Sequence, residues 1–127
     1  GGAFYSEVAV ELIRAIHNNS GKVLVVNTRN NGAIQGLPDD AVIETNCVID
    51  AQGAHPLSFG PLPLAMNGLT QQVKDFERLT IEAAVHGDRQ SALLALVVNP
   101  LIGGVGIAEP LLDEVLNLNQ AYLPQFN

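Results

Sequence analysis

Cysteine, tryptophan and basic residues are scarce in this sequence. It has no tryptophan and only one cysteine, Cys47. Because a second cysteine is lacking, the chain can form neither an intrachain disulfide nor a thiolate metal cluster of its own. This cysteine usage fits a reducing compartment, and we expect a cytoplasmic protein. Six Lys and Arg residues against thirteen Asp and Glu residues give a formal net charge of -7, and no segment clusters the basic residues. The charge balance argues against nucleic acid and against an anionic membrane surface as partners.

Long apolar runs are also absent. The longest covers residues 92–98, far short of the about 20 residues that a bilayer span needs. The chain does not begin with the charged and apolar regions of a signal peptide. We therefore expect a soluble protein that does not enter a membrane.

The overall composition is typical of a folded domain. Of 127 residues, 47% are hydrophobic and 15% are charged, and no repeat or low-complexity block divides them. The length predicts a single domain over residues 1–127. Because the chain starts with Gly1-Gly2 rather than Met, we expect it to be the C-terminal portion of a longer protein.

Apolar periodicity predicts an α+β fold in which a few strands pack with about four helices. Ser6 is expected to cap the first helix, and Pro110 to lie in the first turn of the last. The strand over residues 22–27 and the helix over residues 89–98 are apolar enough to be buried all round. Helices are predicted at residues 6–18, 64–86, 89–98 and 108–123, and strands at residues 22–27 and 41–50.

The connections have their own signals. Residues 28–38 form a long polar connection in which Asn31-Gly32 indicates a turn, and Gln52-Gly53 indicates another. Three prolines within residues 55–63 predict an extended, stiff passage without regular elements.

Several residues could carry chemistry, and each has an ordinary structural alternative. Gly103-Gly104-Val105-Gly106 resembles half of a phosphate-binding turn, but it follows a helix and fits an interhelical loop. The three histidines and Cys47 lack metal-ligand spacing, and Cys47 fits a small buried residue better than a nucleophile. Asp39-Asp40 fits a turn better than an acid/base pair, whereas His55, in a stiff loop, could have a functional role.

The strongest candidate cluster is Arg29, Asn30 and Asn31, at the carboxyl end of the first predicted strand. An arginine flanked by carboxamides can hold a sugar hydroxyl, a carboxylate or a phosphate oxygen by charge-assisted hydrogen bonds. The alternative is that the asparagines close the loop by bonding their own backbone.

Several segments together resemble the C-terminal part of family-four glycoside hydrolases, and among them the 6-phospho-β-glucosidases are the most similar subgroup. The resemblance extends over essentially the whole chain in unbroken order. Its segments are residues 1–7, 25–34, 37–40, 44–48, 53–57, 73–74, 77–83 and 121–124.

The resemblance implies a domain akin to the C-terminal domain of lactate and malate dehydrogenases, which normally follows a Rossmann domain. Family members cleave phosphorylated disaccharides or glycosides with NAD and a divalent metal, usually manganese. They oxidise the sugar at C3, which acidifies the C2 proton so that the aglycone leaves by elimination. The Rossmann domain, the metal ligands and the catalytic base of the family have no counterpart in this chain, and neither Cys47 nor His55 lies in the metal-ligand motifs.

For the chain alone we therefore expect no catalytic residue, no metal ligand and no bound NAD. Arg29, Asn30 and Asn31 match a family segment that is a candidate for substrate binding in the full-length enzyme. The resemblance makes Tyr5 and Ser6 weaker candidates for the same role. The alternatives are an inactive structural or oligomerisation domain, and the C-terminal domain of a related 2-hydroxy acid dehydrogenase. A homo-oligomer is expected in each case.

Overall fold

The structure is a computed structural model that describes residues 4–126. Gly1, Gly2 and Ala3, which begin the family resemblance, lie outside the described residues, as does Asn127. The chain divides into two compact units, of which the first ends at Leu62 and the second begins at Pro63. The first holds the sheet and the second is helical, which confirms the α+β class.

The first unit combines one helix with two small sheets. Its elements are α1 (Tyr5–His17), β1 (Lys22–Arg29), β2 (Ile34–Gln35), β3 (Val42–Asp50), β4 (Gly53–Pro56) and β5 (Gly60–Pro61). Strands β1, β3 and β4 form an antiparallel sheet in the order β1-β3-β4, and the short strands β2 and β5 pair in parallel.

The main core of this unit lies between α1 and one face of the antiparallel sheet. Cys47 and Ile49 are fully buried there against Ala15, with Leu24 and Val26 packed beside them. The alternation of buried and exposed residues along β3 follows from the period of two in a strand, and it confirms the predicted second strand.

Two expectations for this unit were wrong. Strand β1 is not buried on both faces, because α1 covers only one face, and Val23 and Val25 on the other are 50% and 53% exposed. Helix α1 starts one residue before Ser6, with Phe4 at the N-cap and no side-chain capping bond. The helix itself and the turns at Asn31-Gly32 and before Gly53 are confirmed.

The connections also contain more regular structure than predicted. Strand β1 continues through Arg29, and β2 interrupts the long connection that follows it. The proline-rich passage holds the end of β4, including His55, and all of β5. Prolines are tolerated here because Pro56 and Pro61 lie in short strands at the sheet edges.

The second unit contains α2 (Leu64–His86), α3 (Arg89–Val98) and α4 (Val105–Leu118), followed by two short 3-10 turns. The predicted bounds of α2 and α3 are confirmed. Gly87 ends α2 in the left-handed conformation at φ 67°, and Asp88 caps α3 by accepting from the backbone N–H groups of Gln90 and Ser91 at 3.0 and 3.2 Å.

The C-terminal segment packs against the corner between α2 and α3. Gln125 Nε2 donates to the Ala84 carbonyl oxygen at 3.0 Å. A Cβ built on Gly87 would lie 1.8 Å from the carbonyl oxygen of Gln125, so only glycine fits at that position.

Burial in this unit is lower than the sequence predicts. Only Ala95 of α3 is buried, and along α2 only Ala83 of the predicted stripe is buried, while Leu69 is exposed. Helix α4 begins at Val105, which places Pro110 beyond the first turn, and the predicted inward residues Leu118 and Tyr122 are 74% and 82% exposed. Within the described residues, no helix is long and apolar enough to cross a membrane.

Candidate functional site

The candidate cluster lies where β1 passes into the connection before β3. Arg29 is the last residue of β1 and pairs with Val42 of β3. Asn30 leaves the strand, and its backbone N–H donates to the carbonyl oxygen of Ala41 at 2.8 Å. Asn31 and Gly32 have positive φ angles of 44° and 80° and turn the chain. The three predicted residues are adjacent in the fold, but their side chains have different surroundings.

Asn30 is completely buried, and its side chain is committed to the loop around it. Its Nδ2 donates to the carbonyl oxygens of Ile34 and Leu37, each at 3.0 Å, and of Pro38 at 3.3 Å. Its Oδ1 accepts from the Ile34 backbone N–H at 2.8 Å. Of the two alternatives weighed for the asparagines, Asn30 thus shows the bonds that close a loop.

Residues 30–41, which we refer to as the Asn30 loop, have a small apolar core of their own. Ala33 and Leu37 are buried against Ile43 of β3. The Phe59 backbone N–H donates to the Ala33 carbonyl oxygen at 2.8 Å and continues the parallel pairing of β2 with β5. A loop held by a buried polar group and by its own apolar cluster is well ordered.

Arg29 and Asn31 present exposed side chains on either side of Asn30. Among residues 4–126, no carboxylate forms an ion pair with Arg29, whereas Lys22 pairs with Glu11 and Arg89 with Asp113. The Asn31 backbone N–H donates to the Asp39 carbonyl oxygen at 3.0 Å, and the Asn31 side chain is exposed. An exposed guanidinium without an ionic partner can accept an anionic group of a ligand.

The acidic pair and His55 have structural surroundings. Asp39 and Asp40 are exposed and lie in the turn that enters β3, as the turn interpretation predicted. His55 Nε2 lies 2.9 Å from Asp50 Oδ1 across the β3–β4 hairpin. That hydrogen bond, and a second from the Gln52 backbone N–H at 2.7 Å, lower the pKa of Asp50.

Cys47 is a buried structural thiol. It is fully buried in the main core, and burial raises the pKa of the thiol, so it stays protonated. Its Sγ lies 3.6 Å from the Thr45 carbonyl oxygen. The prediction that Cys47 is a small buried residue is confirmed.

Neither a metal centre nor a phosphate-binding turn is formed by the described part of the chain. No group of three His, Cys, Asp or Glu side chains converges within residues 4–126. In the Gly103-Gly104-Val105-Gly106 segment, Gly104 is the N-cap of α4, and it follows a helix and a turn rather than a strand.

A groove of about 640 Å³, which the sequence analysis missed, runs along one side of α1. It is lined by Ser6, Glu11, Arg14 and Lys22 among others, while the other early candidate, Tyr5, does not line it and is largely exposed. Both acidic and basic side chains line the groove, so its charge favours neither an anionic nor a cationic ligand. It could not be found from sequence because its lining comes from one side of α1 and the loop before β1.

Comparisons with known proteins identify relatives over nearly the whole chain. A model described as the Family 4 glycosyl hydrolase C-terminal domain matches residues 2–102. A probable 6-phospho-beta-glucosidase of Bacillus subtilis (strain 168) is 50% identical over 126 residues, which is 99% of this chain and 28% of that protein.

Solved structures of 6-phospho-glucosidases also match the fold of the chain. A crystal structure of a 6-phospho-alpha-glucosidase from gut microorganisms, in complex with NAD and glucose-6-phosphate, matches with a TM-score of 0.91 at 29% identity, over 97% of this chain and 28% of that one. The 6-phospho-beta glucosidase of Thermotoga maritima with manganese, NAD+ and glucose-6-phosphate matches with a TM-score of 0.87 at 42% identity, over 96% and 30%. The chain thus spans less than a third of the length of each of these relatives.

Proposed function

The chain belongs to the family 4 glycosyl hydrolases as a C-terminal domain, and from this we propose that it completes an enzyme that hydrolyses 6-phospho-β-glucosides. The observation that carries the proposal is the 50% identity with the Bacillus relative over 99% of the chain. The match to the family supports the glycosidase interpretation over the related 2-hydroxy acid dehydrogenase.

NAD and a divalent metal are proposed for the full-length enzyme, since the Thermotoga structure contains both. The residues of this chain do not fit either group: within residues 4–126 no three metal-ligating side chains converge, and the only glycine-rich turn before a helix lacks the strand of a dinucleotide site. We therefore assign both groups to the part of the enzyme outside this chain.

We propose that this domain contributes to binding the phosphorylated sugar through the cluster of Arg29, Asn30 and Asn31. The exposed Arg29 guanidinium, which has no ionic partner among the described residues, supports this role in a chain whose net charge is -7. A phosphate dianion does not cross an apolar bilayer readily, so a phosphorylated substrate also supports a cytoplasmic location.

The test of the substrate contact is Arg29→Ala in the full-length enzyme. Loss of a charge-assisted hydrogen bond worth about 1.5–3 kcal/mol is expected to raise KM about tenfold or more, with kcat nearly constant if the contact is equal in the ground and transition states. Steady-state kinetics with a 6-phospho-β-glucoside measures both constants.

The matched control is Arg14→Ala, which removes the other arginine that has no ionic partner in the described part of the chain. It is expected to leave KM unchanged. An unchanged KM in Arg29→Ala, together with a lower Tm, would show that Arg29 only stabilises the fold.

The second proposed role is oligomerisation, and exposed apolar side chains favour it. Tyr5 and Ile13 on α1 are 78% and 65% exposed. Apolar surface of this kind usually packs against another domain or another copy. This role is compatible with the first, because a C-terminal domain can bind substrate and form an interface.

A further inference from the structure

We infer that Asn30 is a positioning residue, which acts on substrate binding by fixing the backbone from which Arg29 and Asn31 project. The inference rests on the proposed function, since it concerns the same substrate contact. It differs from a direct contact in its mechanism: Asn30 acts from inside the protein.

A direct contact between Asn30 and a substrate does not fit its surroundings. The side chain has no exposed surface, and the two hydrogens on Nδ2 are shared among three loop carbonyl oxygens at 3.0 to 3.3 Å. A ligand would have to displace these bonds and open the small core of Ala33 and Leu37. The cost of leaving buried polar groups unpaired opposes that change.

Backbone hydrogen bonds hold the two peptide groups that flank Asn30. The Asn30 backbone N–H donates to Ala41, and its carbonyl oxygen accepts from the Ala33 N–H at 2.8 Å. Arg29 is held on the other side by its pairing with Val42, and Asn31 by its bond to the Asp39 carbonyl oxygen. The two exposed side chains therefore project from a backbone that hydrogen bonds hold on both sides of Asn30.

A fixed backbone matters for affinity because ordering a flexible loop on binding costs free energy. When the loop is ordered in advance, the guanidinium and the carboxamide are held near their bound positions before the substrate arrives. Asn30 supplies this order at the junction between the strand and the turn. Removing its side chain would take one acceptor from the Ile34 N–H and one donor from each of three carbonyl oxygens, of which only that of Leu37 has no other donor among the bonds described for residues 4–126.

The experiment compares Asn30→Ala with Leu37→Ala in the full-length enzyme. The first removes the polar centre of the Asn30 loop and the second removes part of its apolar core, so both loosen the same backbone. Each is expected to raise KM about fivefold or more, while kcat stays within about twofold. Asn117→Ala on the exposed side of α4 is the control, and its KM is expected to be unchanged.

A double variant separates positioning from a general loss of stability. If Asn30 acts in part through Arg29, then Asn30→Ala should raise KM by a smaller factor when Arg29→Ala is present than when it is absent, because the Arg29 contact is already lost. Additive effects on KM would overturn the inference. If Asn30→Ala fails to fold, Leu37→Ala is combined with Arg29→Ala instead, and additive effects of these two substitutions on KM would likewise overturn the inference.

The outcomes distinguish this inference from the proposed function. An unchanged KM in Arg29→Ala overturns the substrate contact, and the positioning role with it. A raised KM in Arg29→Ala with unchanged KM values in Asn30→Ala and Leu37→Ala overturns the positioning role alone.

Discussion

At the scale of single residues, the hydrogen bond between Asp50 and His55 makes the stability of the β3–β4 hairpin depend on pH. The His55 hydrogen bond is the largest cause of the lowered pKa of Asp50, and the Gln52 backbone N–H is the second. A carboxyl group whose pKa is lower in the folded protein stabilises the fold above its ordinary pKa of 3.8, and this stabilisation is lost as the pH falls through the lowered value. The hairpin of β3 and β4 should therefore weaken in acid.

We predict that His55→Ala lowers Tm more at a pH of about 6 than at a pH of about 2.5, because the bond it removes is made to the Asp50 carboxylate. Thermal unfolding followed by circular dichroism at the two pH values measures the difference. His17→Ala, at the exposed end of α1, is the control. An equal loss of Tm at both pH values would contradict the prediction.

Residue types revealed the candidate cluster but not the role of each member. An arginine between carboxamides marks a region that can bind anions, and this much is visible in the sequence. The burial of Asn30 is not visible, because its partners are main-chain atoms of Ile34, Leu37 and Pro38, which almost any side chains could provide. The same holds for Asp50 and His55, which meet only because a turn of the right length folds between them.

At the scale of elements, the helix junction at Gly87 gives the sharpest prediction. Gly87→Ala places a Cβ in the left-handed region and 1.8 Å from the Gln125 carbonyl oxygen. We expect the free energy of unfolding to fall by more than about 1 kcal/mol, since the left-handed conformation alone costs about 1–2 kcal/mol. Urea unfolding of the variant measures the change.

The matched control is Gly68→Ala in α2. Among the described residues, no atom other than those of its chain neighbours and of the backbone of its own helix lies within 4 Å of the added Cβ, and Gly68 has no positive φ. This substitution is expected to raise the free energy of unfolding by about 0.5–1 kcal/mol. Equal effects of the two substitutions would show that the C-terminal segment does not pack at Gly87.

Elements with local signals were predicted well, and those that depend on distant partners were not. The glycine and aspartate between α2 and α3 mark a helix end and a helix start within two residues, so both bounds followed from the sequence. Strands β2 and β5 have two residues each and exist only because they pair with each other, although strands β3 and β4 separate them in the sequence. No periodicity can develop over two residues.

At the scale of the whole molecule, exposed apolar surface is the dominant feature. On α1 the residues Tyr5, Ile13 and Ile16 follow one another at helical spacing and are exposed. In the second unit Leu64, Leu101 and Leu118 are exposed as well. The sequence could not predict which apolar side chains are exposed. Helical periodicity identifies the apolar face of a helix, but it does not show what covers that face.

We predict that the 127-residue chain forms dimers or larger species at high micromolar concentration, and that Ile13→Glu shifts it toward monomer. Static light scattering measures the mass. The control Asn117→Glu adds the same charge to an exposed position of α4 and should leave the mass unchanged. A monomeric chain under these conditions would refute the prediction.

The register of β1 with β3 has a consequence for how the first unit folds. The ladder begins at Arg29 and Val42, beside the Asn30 loop, and ends at Lys22 and Ile49. Loop closure costs less conformational entropy for the near pair than for the far one, so the strands are expected to zip from the Asn30 end outward. The helices of the second unit need mainly contacts between neighbours in sequence and should reach their native form sooner. Asn30 thus lies beside the strand pair that is expected to form first, and a change there should slow refolding as well as weaken the folded protein.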